Sequence, residues 1–276
     1  MKKKKLAIAA LAASLAVGTL AAQPAKAEST SLVIGSVLDI DKLDPHTATN
    51  FATVRALGLV YSSLVEVGPA NKLKTGLATA WQFSADGKTL RLTLREGVKF
   101  HDGSTFDAVD AKASLERILD TKTGAAARAN IATITSITAA GRYLTLNLSV
   151  SNIPILAALD GVNMAMLSST DIAAGKVGGT NKPNGTGAFK YASWEPTQSV
   201  KLTANPDYWM GEPKISDITI RVIPTEASIL SAMNAGTIQF GIISDPLIAK
   251  QVNTRNLKLY KTPALAYYAL QFNNKV

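Results

Sequence analysis

The chain has 276 residues, of which 47% are hydrophobic and 18% charged, with a formal net charge of +9 and no cysteine. A chain of this length and apolar content can bury a core of normal size, which excludes intrinsic disorder as its default state. The missing cysteines exclude disulfides, thiolate catalysis, thiolate metal sites and a cysteine-linked lipid anchor.

Residues 1–27 have the pattern of a cleavable export signal. Four lysines precede an uncharged run from Leu6 to Ala22, and the small-residue sequence Ala25-Lys26-Ala27 follows. An uncleaved anchor is the alternative, because the run is close to membrane-spanning length. Removal of the signal takes away five of the 29 basic residues and leaves a net charge of +4. We therefore expect an exported protein, periplasmic in a two-membrane bacterium, with no nucleic-acid partner.

The first elements after the signal are a strand, a loop and a helix. The run SLVIGSV at 31–37 predicts a short strand, and the loop LDIDKLDPHTATN follows it. Residues 51–62 predict a helix capped by Asn50. Its apolar side chains recur at helical spacing and are Phe51, Val54, Leu57 and Tyr61.

Two hairpins come next. The first turns at Asp86-Gly87, and its second strand places Leu90, Leu92 and Leu94 on one face. The second hairpin, near residues 133–150, aligns four apolar side chains: Leu144, Leu146, Leu148 and Val150. Period-two alternation with short turns predicts antiparallel pairing in both.

The chain from residue 184 onwards predicts two more strands and then a strand, a helix and a strand. Thr225 is the expected cap of this helix and Gly236 its end. Helices and strands alternate without long βα repetition, so we expect an α/β (mixed α+β) fold with a mixed sheet. We see no internal repeat and no flexible linker.

The pair His101-Asp102 admits two interpretations. It could be part of a nucleophile triad, but cysteine is absent and no serine is convincingly placed. The alternative is a turn at Asp102-Gly103 before a helix that is capped by Thr105 or Asp107. The core face of that helix is then Ala108, Ala111, Leu115, Ile118 and Leu119. We favour the turn, because it accounts for every residue in the stretch.

Two further stretches contain residue types found in ligand-binding loops, but neither matches a known ligand-binding motif. NGTGAFK at 184–190 lacks dinucleotide or Walker spacing and leads into a strand, so its glycines predict a tight turn. Asp39, Asp41 and Asp44 lack the glycine and glutamate of a calcium loop. With only two histidines a zinc site is also not expected, and no cofactor is predicted.

The order of these segments resembles one family. The stretch LATAWQFSADGKTLRLTLREGVKFHDGSTFDAVDAKASLERIL resembles the signature region of the family 5 extracellular solute-binding proteins, the peptide and nickel receptors of ABC importers. LDPH lies before it, and NGTGAFKYASWEP and NPDYWMGEPKISDITIRVIPTEASILSAMNAGTIQFG lie after it, in the family's order. The resemblance runs from about Leu32 to the last residue.

The resemblance implies a type II periplasmic-binding-protein-like fold whose two lobes close on a ligand. The first lobe would comprise 28–55 and 184–262, with an inserted subdomain at 56–183 and a crossing strand at 263–276. Members of the family continue into a second lobe after this strand, so we expect the 276-residue chain to be a fragment without that lobe.

The resemblance also implies a function. The protein would capture a small solute for an ABC permease, and an oligo- or dipeptide is the expected ligand. It would be a monomer and not an enzyme. Peptide, nickel-complex and sugar ligands all occur in the family. Residues at the cleft would be Thr49, Asn50, Phe51, Ala266 and Tyr268. The alternatives are a secreted hydrolase using His101 and Asp102, or an inert fragment of a receptor.

Overall fold

A computed structural model describes residues 30–68 and 72–261, and these form a mixed α/β fold with three sheets. The predicted signal segment, the crossing strand, Ala266 and Tyr268 lie outside the described residues. The strands are β1 Ser31–Ser36, β2 Val65–Val67, β3 Leu73–Thr75, β4 Ala78–Phe83, β5 Thr89–Leu94, β6 Ile134–Ala140, β7 Tyr143–Leu148, β8 Phe189–Glu195, β9 Ser199–Ala204, β10 Asp217–Val222 and β11 Phe240–Gly241. The helices are α1 Phe51–Leu57, α2 Ala108–Leu119, α3 Ile155–Ala158, α4 Ser169–Ala173, α5 Glu226–Asn234 and α6 Pro246–Ala249.

The largest sheet is mixed, as the sequence predicts. Its strand order is β11-β1-β10-β9-β8, and β1 runs parallel to both β10 and β11. β9 is antiparallel to β10 and to β8, so β8 points in the same direction as β1. Four strands therefore end at one edge of this sheet, which we call the carboxyl edge.

The second sheet contains both predicted hairpins, in the order β4-β5-β7-β6. Register pairs Leu90 with Leu146 and Leu92 with Leu144, so the alternating leucines lie side by side and are fully buried. Helix α2 covers this face with the predicted residues, of which Leu119 is only partly buried. Val150 is an exception, because β7 ends at Leu148 and the Val150 side chain is 53% exposed.

Helix α2 begins at the second of its two predicted caps. The Asp107 carboxylate accepts from the backbone N–H groups of Val109 and Asp110, while the Asp110 carboxylate accepts from the N–H of Asp107. This reciprocal capping box satisfies backbone donors that the first turn of a helix leaves open. Thr105 instead forms an isolated bridge with Lys99.

Two hydrophobic cores underlie the two large sheets. The first core, from Ile40 to Tyr61 and from Phe189 to Ile220, packs on the five-stranded sheet, and the second core runs from Leu64 to Leu159. Residues 162–167 lie between them, with Val162, Ala165 and Leu167 in the first core and Met164 and Met166 in the second. Within the predicted insertion at 56–183, residues 56–61 and the segment after Leu167 pack with the first core, and the bounds of the insertion stay a prediction.

Candidate functional site

The carboxyl edge gathers the ends of parallel strands. β1, β10 and β11 end at Ser36, Val222 and Gly241, and register pairs Ser36 with Val222 and Gly35 with Gly241. In open α/β sheets ligands bind outside the carboxyl ends of parallel strands, where neighbouring loops diverge. Apolar side chains are exposed there, since Val37 and Leu38 follow β1 and Ile242 follows β11. The sheet topology thus makes this edge the candidate ligand site.

Asp39 joins the loop after β1 to the end of β8 and to the turn that follows β8. Its carboxylate accepts hydrogen bonds from the Trp194 indole N–H at 3.1 Å and from the Thr197 backbone N–H at 2.7 Å. Trp194 lies at the end of β8, and Thr197 lies in the following turn with a left-handed φ of 63°. A β-branched residue in that region is strained, and such strain often marks a constrained functional site. In the sequence, this cluster shows only as an aspartate shortly after a predicted strand. Such an aspartate could equally belong to a calcium-binding loop.

The three predicted site residues in the described chain lie at this edge. The Asn50 side chain accepts from the N–H of Ala52, which caps α1, and donates to the backbone oxygen of Asp39 at 3.2 Å. Because both ends of its amide are engaged, Asn50 positions the helix start rather than facing solvent. Thr49 is exposed, and the ring of Phe51 is 72% exposed at the first position of α1. A role for these residues in ligand binding stays a prediction.

His101 lies at a different place, where the corner Phe100–Ser104 docks on the NGTG segment. Gly103 closes the predicted turn onto Phe100, with a φ of 93°. The His101 N–H donates to the oxygen of Gly185, its ring Nε2 bonds to the oxygen of Gly187 at 3.0 Å, and the Gly185 N–H donates to Nδ1. The two sequence motifs are therefore bound to each other through main-chain groups.

This geometry leaves no nitrogen of His101 for a nucleophile. A carbonyl partner fixes the proton on Nε2, and Nδ1 accepts from a backbone N–H. Burial lowers the pKa of His101 to about 4, so the ring is neutral at neutral pH. The carboxylate of Asp102 accepts from Ser104 and Asn184 instead of orienting the imidazole. The arrangement fits a structural corner and not a triad.

The glycines of NGTG are required for space rather than for special dihedrals, which corrects the prediction of a glycine-dependent turn. Neither Gly185 nor Gly187 has a positive φ. A Cβ on Gly185 would lie 2.0 Å from the Val60 oxygen, and one on Gly187 would lie 2.5 Å from the Val60 carbonyl carbon. Backbone approaches backbone here, which only glycine permits.

The His101 corner and the carboxyl edge lie at opposite ends of β8. The corner contacts Gly187 and Lys190 before or at the start of the strand, whereas Asp39 contacts Trp194 and Thr197 at its end. A seven-residue strand spans roughly 20 Å. The corner therefore lies away from the candidate ligand site.

The three loop aspartates have separate partners. Asp39 is bound by Trp194 and Thr197, Asp41 accepts from the hydroxyl of Thr53, and Asp44 pairs with Arg117 at 2.6 Å. Within residues 30–68 and 72–261, no three His, Cys, Asp or Glu side chains converge as metal ligands. Over the same residues, no helix combines the length and hydropathy that crossing a membrane requires.

Comparison with known proteins gives one family. The profile of the bacterial extracellular solute-binding proteins, family 5 Middle, matches residues 72–276. The chain is 28% identical over 272 residues to the glutathione-binding protein GsiB of Shigella flexneri, covering 95% of this chain and 52% of that protein. It therefore spans about half the length of this curated relative.

Solved structures agree with the fold. DppA from Helicobacter pylori, solved with the peptide STSA, superposes with a TM-score of 0.73 at 26% identity, covering 81% of this chain and 48% of that one. MoaA from A. tumefaciens R10, solved with mannopinic acid, gives 0.73 at 27% identity, covering 81% and 47%. Both are periplasmic binding proteins by fold, so the predicted fold class is confirmed.

Proposed function

Because the chain belongs to the family 5 bacterial extracellular solute-binding proteins, we propose that it captures a short peptide at the carboxyl edge and presents it to an ABC permease. Proteins of this family bind small solutes or peptides outside the cytoplasm, which agrees with the export signal proposed for residues 1–27. The named ligands of GsiB and DppA, glutathione and a tetrapeptide, favour a peptide. The mannopinic acid bound by MoaA is the competing ligand class.

One observation carries the location of the site. Asn50 anchors the start of α1 to Asp39, directly beyond the end of β1, and so presents the exposed ring of Phe51 beside the diverging loops. An exposed aromatic ring held on a rigid helix start can cover one side of a peptide at little entropic cost. By the family resemblance, Ala266 and Tyr268 would also meet the ligand, through backbone and ring.

The proposed activity is binding without covalent chemistry. Ligand affinity in a two-lobed receptor comes from enclosing the solute, so the site requires complementary shape and hydrogen bonds rather than an acid and a base. The engaged nitrogens of His101 support this and count against the hydrolase alternative. Monomeric assembly and a periplasmic location belong to the same proposal.

Calorimetry tests the proposal with three probes, which are reduced glutathione, the peptide Ser-Thr-Ser-Ala and mannopinic acid. The assay uses this chain and any longer product of the same reading frame. We expect heat of binding for at least one of the two peptides, and Phe51→Ala should weaken it about tenfold or more. Tyr143→Ala is the matched control, because Tyr143 is an exposed ring on the second sheet. Binding unaffected by Phe51→Ala would refute the proposed site. No heat with any probe, from this chain or from the longer product, would refute the proposed function.

A further inference from the structure

The loop segment Asp44–Ala48 follows β1 of the five-stranded sheet, and it is held by residues that lie outside that sheet. The guanidinium of Arg117, on α2 of the second core, donates to both carboxylate oxygens of Asp44 at 2.6 and 3.2 Å. The side chains are only 16% and 14% exposed, so this ion pair is far less screened than one at the surface. The bidentate geometry also fixes the direction of approach.

His46 also bonds to Arg117 and connects this ion pair to the interior of the protein. Its side chain is fully buried, Nδ1 accepts from the Arg117 guanidinium at 2.8 Å, and the Nε2 proton is donated to the oxygen of Ala165 at 2.9 Å. Arginine can only donate, so Nδ1 must carry no proton. The charged groups that face this ring are Arg117 and Asp44, and burial together with Arg117 lowers the pKa of His46 to about 4.

The backbone of the segment is held in the same way. The Asn163 side-chain amide donates to the oxygens of Pro45 and Ala48, each at 2.8 Å. The Ala126 N–H donates to the oxygen of His46 at 2.9 Å. Every one of these partners lies on α2, on the loop after it or in the segment shared by the two cores.

The held segment leads directly into the candidate ligand site. Ala48 is buried and is followed by Thr49, Asn50 and the exposed ring of Phe51. Asn50 is attached to Asp39 and α1 packs in the first core, and the direction of Phe51 depends in addition on the point from which the chain enters Asn50. The contacts of Arg117, Asn163 and Ala126 supply that point.

We propose that Arg117 is a positioning residue for ligand capture, which holds Asp44–Ala48 and thereby fixes the Thr49–Phe51 side of the carboxyl edge. The inference rests on the proposed function for the ligand and on the contacts above for the geometry. It assigns the second core a role at the site, because Arg117 of α2 contacts the loop that leads into the site.

Amide hydrogen exchange on the full chain tests the anchoring without any ligand. Arg117→Met should speed the exchange of amides in 50–57 at least about tenfold, while the amides of β5 and β7 keep their protection. Arg117→Lys keeps the positive charge but loses the bidentate hydrogen bonds of the guanidinium, so it should give an intermediate effect. Lys112→Met is the matched control on the same helix, since Lys112 is an exposed cation paired with Glu116, and it should change neither region.

A general structural role would give a different result. If Arg117→Met sped exchange equally in 50–57, β5 and β7, or if 50–57 kept its protection, the positioning role would be overturned. Should Arg117→Met fail to fold, Arg117→Lys carries the same comparison.

Binding of glutathione and Ser-Thr-Ser-Ala then separates the two proposals. We expect the affinity of the wild-type chain to fall about tenfold in Arg117→Met and to stay the same in Lys112→Met. Equal affinity of wild type and Arg117→Met refutes the positioning role and leaves the proposed function intact. A wild-type protein that binds none of the probes refutes the proposed function, and with it a role of Arg117 in capture.

Discussion

Acid should destabilise this protein between pH 6.5 and about 4, because its two histidines are buried in the neutral form. Burial is the largest cause that lowers the pKa of His46 and of His101, each from 6.5 to about 4. In this window the unfolded chain binds protons on both rings and the folded chain does not. The free energy of unfolding therefore falls as the pH drops from 6.5 towards 4 and changes little through these rings below that.

The size of the effect follows from the same values. Each ring contributes at most about 1.4 kcal/mol per pH unit, so the fully buried His46 accounts for about 3 kcal/mol across the window. His101 acts in the same direction but is partly exposed, which reduces its share. Burial raises the pKa of Asp160, which opposes the trend weakly. Hydrogen bonds lower the pKa of Asp102 and Glu226, so the unfolded chain protonates these carboxylates before the folded chain does, and they add to the loss of stability at the acid end of the window.

Urea unfolding at several pH values between 4 and 7 measures the slope directly. His46→Gln should flatten it, since a glutamine amide can donate to Ala165 and accept from Arg117 without titrating. The double variant with His101→Gln should lose most of the pH dependence, because the chain has no third histidine. A wild-type protein as insensitive to pH as the double variant would show that neither ring is buried neutral, and the reasoning would fail.

Four substitutions test local geometry through the urea midpoint. Gly187→Ala should destabilise by about 2 to 3 kcal/mol, since the new methyl would collide with the Val60 main chain. Thr197→Gly should stabilise by about 1 kcal/mol, because it removes the left-handed strain at a φ of 63°. Asp107→Ala should cost about 1 kcal/mol through the lost cap, whereas Thr105→Ala should change stability by less than about 0.5 kcal/mol. An unchanged midpoint for Gly187→Ala, a lower one for Thr197→Gly or equal losses at 105 and 107 would contradict the respective account.

The hairpins were predictable because their signal is local. Alternating leucines at 90 and 92 pair in register with those of β7, and the Asp86-Gly87 turn needs only residues that are adjacent in sequence. The helix after Thr225 is local in the same sense, with a cap at one end and Gly236 in a left-handed conformation at the other. Such elements carry their own start and stop signals.

The sequence predicts too long a helix α1, because contacts with a distant segment end the helix. Apolar spacing predicts a helix to residue 62, but the structure ends it at Leu57. The oxygens of Leu59 and Val60 accept instead from the N–H groups of Phe189 and Gly187. Sequence periodicity cannot register a partner more than a hundred residues away, and tertiary hydrogen bonds override helix propensity here.

The candidate site was only partly predictable for the same reason. The family resemblance indicates Thr49, Asn50 and Phe51. The structure attaches Asn50 to Asp39, whose other partners Trp194 and Thr197 are remote in sequence. No local pattern marks an aspartate that joins the loop after β1 to the end of β8 and the turn that follows it. The strand directions of the sheet are what bring those loops to one edge.

The two histidines follow one physical rule that a motif search misses. A catalytic imidazole needs a nitrogen free for proton transfer, whereas His46 and His101 each use both nitrogens for hydrogen bonds that join separate parts of the chain. A neutral imidazole suits this task, because it offers one donor and one acceptor in fixed directions and needs no counter-charge when buried. Conspicuous residue pairs in this chain therefore indicate where its parts are joined, and the candidate ligand site lies where the strands end.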